Sequence, residues 1–199
     1  MNNPKDKRVE KTHSRLRLAF TELLMERNLD DITVFDLCEK ADVRRATFYT
    51  HFKDKLDFTE YVIRALHKEL GDAIQADLSV VTPCDFLMLY VKHGLALISS
   101  WESIIRNVAE SSCFPAVCSL VANCTADSLA SNLESARALG ITLPADIDVT
   151  VNFVNAGMTY TVLNWLRKRP PPSASLYAEL EKILKILFEN KTNETPTVI

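Results

Sequence analysis

Residues 33–55 limit the possible fold of this chain more than any other stretch. Thr33 is a good helix cap, and Asp36 follows at the position that completes a reciprocal capping box. An apolar helix face with i, i+3, i+4 and i+7 spacing comes next, formed by Val34, Leu37, Cys38 and Ala41. After a short interruption, Phe48 and Phe52 lie four residues apart, as on the inner side of a second helix. The stretch therefore predicts two short helices joined by a tight turn.

The outer side of the second helix has an unusual composition. Its residues are Arg44, Arg45, Thr47, Tyr49 and His51. Two adjacent arginines and a polar aromatic residue are poor choices for a covered face. A short exposed helix of this kind, fixed from behind by aromatic residues, fits the major groove of DNA. The alternative is a pair of ordinary core helices in an all-α domain, which the same outer residues disfavour.

The same stretch resembles the DNA-binding domain of the TetR/AcrR family of transcriptional regulators. The residues that carry the resemblance are Thr33, Ala41-Asp42-Val43, the run Thr47-Phe48-Tyr49-Thr50-His51-Phe52, and Lys55. The match spans roughly residues 11–63. It departs from the family pattern at Asp42, where the family usually has Gly, and at Ala46, where it often has Gly or Pro. Asp tolerates a left-handed turn, so these departures bear on base preference and not on the fold.

Individual roles follow from side-chain chemistry and from this resemblance. Arg45 and Thr47 are predicted to contact base edges, because Arg pairs with guanine and the Thr methyl group can touch thymine. Arg44 suits either a base or a phosphate. The remaining residues of the predicted DNA surface are expected to hold phosphates and set the register, and they are Thr33, Tyr49, His51 and Lys55.

Charge is distributed as a DNA-binding protein requires. The formal net charge is −3, but residues 1–17 contain six basic and two acidic residues, and residues 40–55 contain five basic and two acidic residues. Beyond residue 70, nine basic residues stand against thirteen acidic ones. DNA phosphates are contacted locally, by the basic N-terminal segments and not by the acidic remainder of the chain. The overall negative charge therefore does not exclude DNA as a partner.

Composition favours an all-α fold. Of 199 residues, 47% are hydrophobic, and only 4 are Gly and 8 are Pro. About nine helices are predicted, with an N-terminal three-helix helix-turn-helix DNA-binding domain followed by a C-terminal helical ligand-binding and dimerisation domain. The expected segments are the DNA-binding domain 1–55 with a loose basic arm over 1–8, the regulatory domain 56–199 with a linking helix over 54–78, and a frayed tail over 191–199.

Helix starts and stops appear at several further points. Thr82-Pro83-x-Asp85 combines a cap with Pro at the first helical position. Ser99-x-x-Glu102 reads as a capping box that opens a shorter helix to about residue 111. Pro170-Pro171-Pro172 ends the eighth helix, predicted over about 146–169, and the ninth ends near residue 190.

The last two predicted helices are too apolar for one core contact. Helix eight carries apolar residues on more than one face, and Gly157 within it would let another helix approach closely. We therefore predict a homodimer whose four-helix interface surrounds a two-fold axis, as the family resemblance also implies. The predicted interface residues are Phe153, Gly157, Thr161, Trp165, Leu180, Ile183, Leu184 and Leu187. The alternative is that both helices lie wholly inside a monomer.

The resemblance also implies a small-molecule effector cavity among helices four to eight. Polar residues that can supply its contacts are Tyr90, His93, Trp101, Glu110, Asn123, Asp127, Asn152 and Asn155. Each is individually more common as an ordinary core or surface residue. The effector is not named by the sequence, and a regulator controlled by a partner protein, or an effector-free activator or architectural protein, is the alternative.

Other function classes receive little support. Four histidines form no metal-ligand spacing, and no Gly-rich phosphate loop or nucleophile elbow occurs, so no enzyme, metal site or cofactor is expected. The five cysteines are odd in number and include no Cys-x-x-Cys pair. Cys113, Cys118 and Cys124 are expected to be core residues in preference to a thiol or metal sensor. Without a signal peptide or a long apolar run, a cytoplasmic location without a membrane partner is expected.

Overall fold

The computed structural model describes residues 4–77, 82–138, 140, 143, 145–167 and 173–189. These ranges contain nine α-helices and a 3₁₀ turn, without a strand, so the predicted all-α fold is confirmed. The elements are α1 (Pro4–Glu26), the 3₁₀ turn (Leu29–Asp31), α2 (Val34–Ala41), α3 (Arg45–Tyr49), α4 (Lys55–Asp77), α5 (Pro83–Ser100), α6 (Glu102–Ala109), α7 (Phe114–Ala138), α8 (Ile147–Arg167) and α9 (Ser173–Glu189). The predicted proline stop at 170–172 and the predicted tail at 191–199 lie outside the described residues.

Two helix starts read from the sequence are confirmed in detail. At the start of α2, the Thr33 hydroxyl accepts a hydrogen bond from the Asp36 N–H at 3.1 Å, and the Asp36 carboxylate accepts from the Thr33 N–H at 2.8 Å. Thr82 and Asp85 repeat the arrangement at the start of α5, with 3.1 and 3.3 Å for the equivalent bonds. Such caps satisfy backbone donors that the first helical turn cannot pair.

Two other predictions of helix ends were wrong. The loose basic arm was placed over 1–8, but α1 already begins at Pro4, a residue whose fixed φ suits the first helical position. Ser99 does not cap α6, because its hydroxyl donates to the Leu95 carbonyl at 2.8 Å and α5 continues to Ser100. The N-cap of α6 is Trp101, which makes no side-chain capping hydrogen bond. Serine can bond back to the preceding helical turn, and here that local bond prevails over the cap.

Packing groups the chain into two compact units. The first comprises residues up to 66 together with residues 101–120, and the second comprises residues 67–100 and those from 121 onward. The predicted domain boundary after residue 55 stays a prediction, because this grouping reflects packing density alone. It does assign α6 to the same unit as the helix-turn-helix, which the sequence did not suggest.

The first unit is built on an aromatic core. Phe48, Phe52 and Phe58 pack together, with ring centroids 5.4 Å apart for the first two and 4.9 Å apart for the last two. Phe20 of α1 meets Phe58 edge to face at 5.3 Å. Aliphatic side chains complete the core, among them Leu16, Leu23, Leu29, Ile32, Leu37 and Ile104. The helix-turn-helix therefore shares one core with α1, the start of α4 and α6.

The second unit holds its own apolar core. Helix α5 packs against α9, with Val91 and Leu95 meeting Leu180. A larger cluster joins four helices and consists of Cys84, Leu87, Met88, Leu129, Leu133, Val151, Val154 and Leu184. Helices α8 and α9 thus each bury one face within the protomer.

By length and composition, no single described helix would cross a membrane. One bent pair, Glu102–Ala109 with Phe114–Ala138 at 119°, passes the same test together.

Replacing Phe48 with Ala tests the aromatic core. Its side chain is 0% exposed, so we expect the free energy of unfolding of the first unit to fall by about 3–5 kcal/mol, measured by urea denaturation followed by circular dichroism. Leu18→Ala on α1 is the matched control, because Leu18 is 63% exposed and its loss should change stability by less than about 0.5 kcal/mol. Equal losses for the two variants would contradict the assignment of Phe48 to the core.

Candidate nucleic-acid interface

The turn between α2 and α3 is set by Asp42. Its backbone adopts the left-handed conformation, with φ 49° and ψ 50°, and no other non-glycine residue in the described ranges has a positive φ. The Val43 N–H then donates to the Cys38 carbonyl at 2.9 Å, which closes the end of α2. The Asp42 carboxylate also forms an ion pair with Arg15 of α1. Asp42 thus fills the position where the family pattern has Gly, as its tolerance of this conformation predicted.

Helix α3 presents the predicted polar surface. Arg44 and Arg45 are exposed, and Tyr49 is 50% exposed, whereas Phe48 between them is fully buried. Thr47 and His51 are half-buried. Arg44 is the N-cap residue and makes no side-chain capping bond, so its guanidinium is not used to start the helix. The residues predicted to contact DNA therefore lie on the outer side of a helix that is held from within.

Lys55 has a structural role that the sequence did not reveal. Its ammonium donates to the Leu29 carbonyl at 2.7 Å and lies 3.4 Å from the Asp30 carbonyl. Lys55 is half-buried as a result. The Leu29 carbonyl also accepts from the Ile32 N–H at 3.3 Å, so the ammonium is a second donor to this oxygen. The side chain predicted to meet a phosphate is therefore engaged in tying the start of α4 to the 3₁₀ turn.

Thr33 is likewise occupied within its own cap. Its hydroxyl donates to the Asp36 carboxylate at 2.6 Å, and its N–H donates to the same oxygen. These two bonds, first the hydroxyl and then the backbone, lower the pKa of Asp36 below its ordinary value. Both donors of Thr33 are thus committed inside the protein, although the residue was predicted to contact phosphate.

A second polar tie joins the 3₁₀ turn to the segment between α6 and α7. The Asp30 carboxylate accepts from the Ser112 N–H at 2.7 Å and from the Ser112 hydroxyl at 3.0 Å. The backbone bond is the largest cause of a lowered pKa at Asp30. Nearby, the Asn107 side chain donates to the Leu24 carbonyl at 2.6 Å and satisfies the last turn of α1. More than 80 residues separate these partners in sequence, so no local pattern could have identified them.

His13 of α1 lies behind the recognition helix in a cage of rings. Its imidazole contacts His51 and Tyr61 at centroid distances of 4.9 Å and Phe52 at 5.1 Å. Burial, and then the charge of His51, lower the pKa of His13 below its ordinary value. The sequence predicted a solvated start of α1, with Arg15 or Arg17 near phosphate, and gave no sign of this pair.

The predicted dimer residues fall on different faces. Leu180 and Leu184 are buried in the protomer's own core, so the structure removes them from the free surface. Phe153, Gly157 and Ile183 are exposed, whereas the other three predicted residues, Thr161, Trp165 and Leu187, are half-buried. Three exposed apolar residues were not predicted and lie on the same helices: Val149, Tyr160 and Ile186.

The predicted effector contacts are also divided. Glu110, Asn123, Asp127 and Asn152 are exposed, so they do not line an enclosed space within their unit. Trp101 packs against the core of the first unit. Three predicted residues, Tyr90, His93 and Asn155, are half-buried in the second unit.

Tyr90 is the centre of a polar cluster in the second unit. Its hydroxyl lies 2.8 Å from Nδ1 of His67 and 3.1 Å from the hydroxyl of Thr125. Burial raises the pKa of Tyr90 to about 12, so the phenol stays protonated. His67 and Thr125 were not predicted, because their approach to Tyr90 depends on how α4, α5 and α7 pack.

Comparison with known proteins identifies the first unit. Residues 19–62 match the model of the bacterial regulatory proteins of the tetR family. A curated relative, the HTH-type transcriptional regulator YxbF of Bacillus subtilis, is 31% identical over 96 residues. The alignment covers 48% of this chain and 24% of that protein, so the chain spans about a quarter of the length of this relative.

Solved structures extend the likeness to the whole fold. A TetR-family transcriptional regulator from Syntrophomonas wolfei gives a TM-score of 0.72 at 12% identity, covering 94% of this chain and 99% of that one. The dihydroxyacetone kinase operon activator DhaS gives 0.65 at 14% identity, covering 89% and 96%. Both of these proteins are named as regulators of transcription. Residues 19–62 thus form a DNA-binding domain of the tetR family of bacterial regulatory proteins, and the fold of the described residues is similar to that of TetR-family transcriptional regulators.

Proposed function

We propose that this protein is a homodimeric repressor that binds a near-palindromic operator and releases it when a small molecule binds the second unit. The observation that carries the proposal is the outer surface of α3, where Arg44 and Arg45 are exposed beside the fully buried Phe48. An exposed pair of guanidinium groups on a rigidly held helix suits readout of base edges. Activation in place of repression is the second candidate, because one structural neighbour, DhaS, is named as an operon activator.

Base reading in this proposal belongs to Arg45 and Thr47. Arg45 begins the helix proper and is exposed, so its guanidinium can reach guanine O6 and N7. In this proposal, Tyr49 and His51 make most of the phosphate contacts. Thr33 and Lys55 contribute less than the sequence suggested, since their donors are engaged with Asp36 and Leu29.

Dimerisation in this proposal uses an exposed apolar stripe on α8. Val149, Phe153, Gly157 and Tyr160 follow one another at intervals of three or four residues, so they share one helix face. Phe153 and Tyr160 are 68% and 69% exposed, and a Cβ placed on Gly157 meets nothing within 4 Å. On α9, Ile183 and Ile186 are exposed in the same way. A second copy covering these stripes would bury the largest exposed side chains of this unit.

A route for an effector signal is also available within the first unit. The segment between α6 and α7 is held to the 3₁₀ turn through Asp30, and that turn holds the start of α4 through Lys55. Helix α7 continues from this segment into the second unit. A ligand that fits only one arrangement of the second unit would shift the population of DNA-competent dimers through these ties.

Selection of bound duplexes from a random DNA pool tests the proposal as a whole. A palindromic consensus would support DNA binding, dimerisation and a fixed half-site spacing together. Thermal shift against a metabolite panel then tests ligand control, since a ligand that binds the folded state raises the midpoint. Lack of enrichment would count against the proposed function, and enrichment without any stabilising ligand would favour control by a partner protein or no effector.

Changing Arg45 to Ala should affect specific binding alone. We expect a loss of about 1–3 kcal/mol on the selected operator and little change on a scrambled duplex, measured by fluorescence anisotropy. Tyr49→Phe is the contrasting variant, because loss of a phosphate contact should weaken both duplexes to the same extent. If Arg45→Ala weakened both duplexes equally, Arg45 would be a phosphate contact and not a base reader.

Changing Phe153 to Glu should produce a monomer. A charge at the centre of the proposed interface must be buried without a partner, so we expect the mass measured by light scattering to halve and operator affinity to fall at least about tenfold, because a single recognition helix binds weakly. Met25→Glu is the matched control, because Met25 is an exposed apolar residue of α1, 53% exposed. An unchanged mass for Phe153→Glu would place the dimer contact elsewhere.

A further inference from the structure

A histidine pair connects the recognition surface to the core behind it. The rings of His13 and His51 meet edge to face, with centroids 4.9 Å apart and planes at 88°. Phe52 and Tyr61 enclose His13 on its other sides. Nε2 of His13 is buried and has no hydrogen-bond partner among the described residues. The His13 imidazole is therefore held by ring packing, without a group that would stabilise a charge at Nε2.

Two imidazoles in contact are unable to carry two charges without repulsion. From the elements packed against it, His13 faces two titratable groups, His51 and Tyr61. A phenol remains uncharged at neutral and acid pH. On α1 itself, Arg17 lies one turn further on and Glu10 nearly one turn earlier. The charge that acts on His13 most directly is therefore that of His51.

We propose that His13 and His51 form a proton-linked pair in which His51 carries the single proton in the DNA complex and neutral His13 positions it. This proposal rests on the proposed function, because it takes His51 as a phosphate contact. Both rings are half-buried, but His51 adjoins the exposed Tyr49 and Thr50 in the sequence, whereas Nε2 of His13 is buried. A phosphate beside His51 favours its charged form, and the same charge keeps His13 neutral.

Because of this pair, we expect DNA affinity first to rise and then to fall as the pH decreases. As the pH falls, a proton taken up by His51 beside a phosphate tightens the complex, by no more than tenfold per pH unit for one linked proton. At lower pH His13 must also become charged. Its lowered pKa means that the unfolded chain binds this proton below the ordinary value of 6.5 while the folded chain does not, so acid loosens the packing of α1 against His51 and Phe52. Affinity then falls again.

The experiment measures affinity of the full chain for its selected operator between about pH 5.5 and 8 at constant ionic strength. For the wild type we expect an affinity maximum inside this range, with about three- to tenfold weaker binding at pH 8. His51→Gln should remove the tightening between pH 8 and 6.5. His13→Phe keeps a ring in the cage and should remove the loss at acid pH. His67→Gln is the matched control, since His67 is a half-buried histidine of the second unit whose pKa is also lowered by burial.

An operator affinity of the wild type that does not change with pH would contradict the proposed histidine pair. A loss of affinity at acid pH that persists in His13→Phe would contradict it as well. If His13→Phe unfolds, His13→Gln is used, and circular dichroism confirms its fold before affinity is compared. Absence of operator binding at every pH would overturn the proposed function itself. In that event, urea denaturation still tests whether protonation of His13 loosens the packing around it. Stability must fall below about pH 6.5 less steeply in His13→Phe than in the wild type.

Discussion

The burial of Phe48 is the interaction on which the recognition surface depends. Helix α3 contains five residues, far too few to be stable alone, because helix nucleation is costly and short helices draw their stability from tertiary packing. Phe48 supplies that packing, with its ring centroid 5.4 Å from Phe52 and 5.8 Å from Phe58. The direction in which Arg45 points is consequently set by an aromatic core that reaches into α4.

Polar ties determine which segments move with that core. Asp30 is the central residue, because its carboxylate holds Ser112 and its carbonyl lies near the ammonium of Lys55. The segment between α6 and α7 is thus attached to the helix-turn-helix by a small number of specific hydrogen bonds.

Local patterns predicted the fold well, and long-range packing explains where they failed. The caps at Thr33 and Thr82 and the left-handed turn at Asp42 depend on neighbours within four residues, so the sequence alone revealed them. The engagement of Lys55 with Leu29, 26 residues away, has no local signature. Periodicity likewise marked Leu180 and Leu184 as apolar without indicating that α5 would cover them. An apolar stripe shows that a face is buried, but does not show whether the same chain or another chain buries it.

The internal use of Thr33 and Lys55 also changes how the protein would be anchored on DNA. With their donors committed to Asp36 and Leu29, the proposed anchoring depends on Tyr49 and His51, which follow the buried Phe48 in the sequence. Base reading and phosphate anchoring then rest on the same aromatic cluster, since His51 contacts Phe52 and His13. A disturbance of this cluster would loosen both kinds of contact together. Binding would therefore respond sharply to small changes behind α3, and a proton on His13 is one such change.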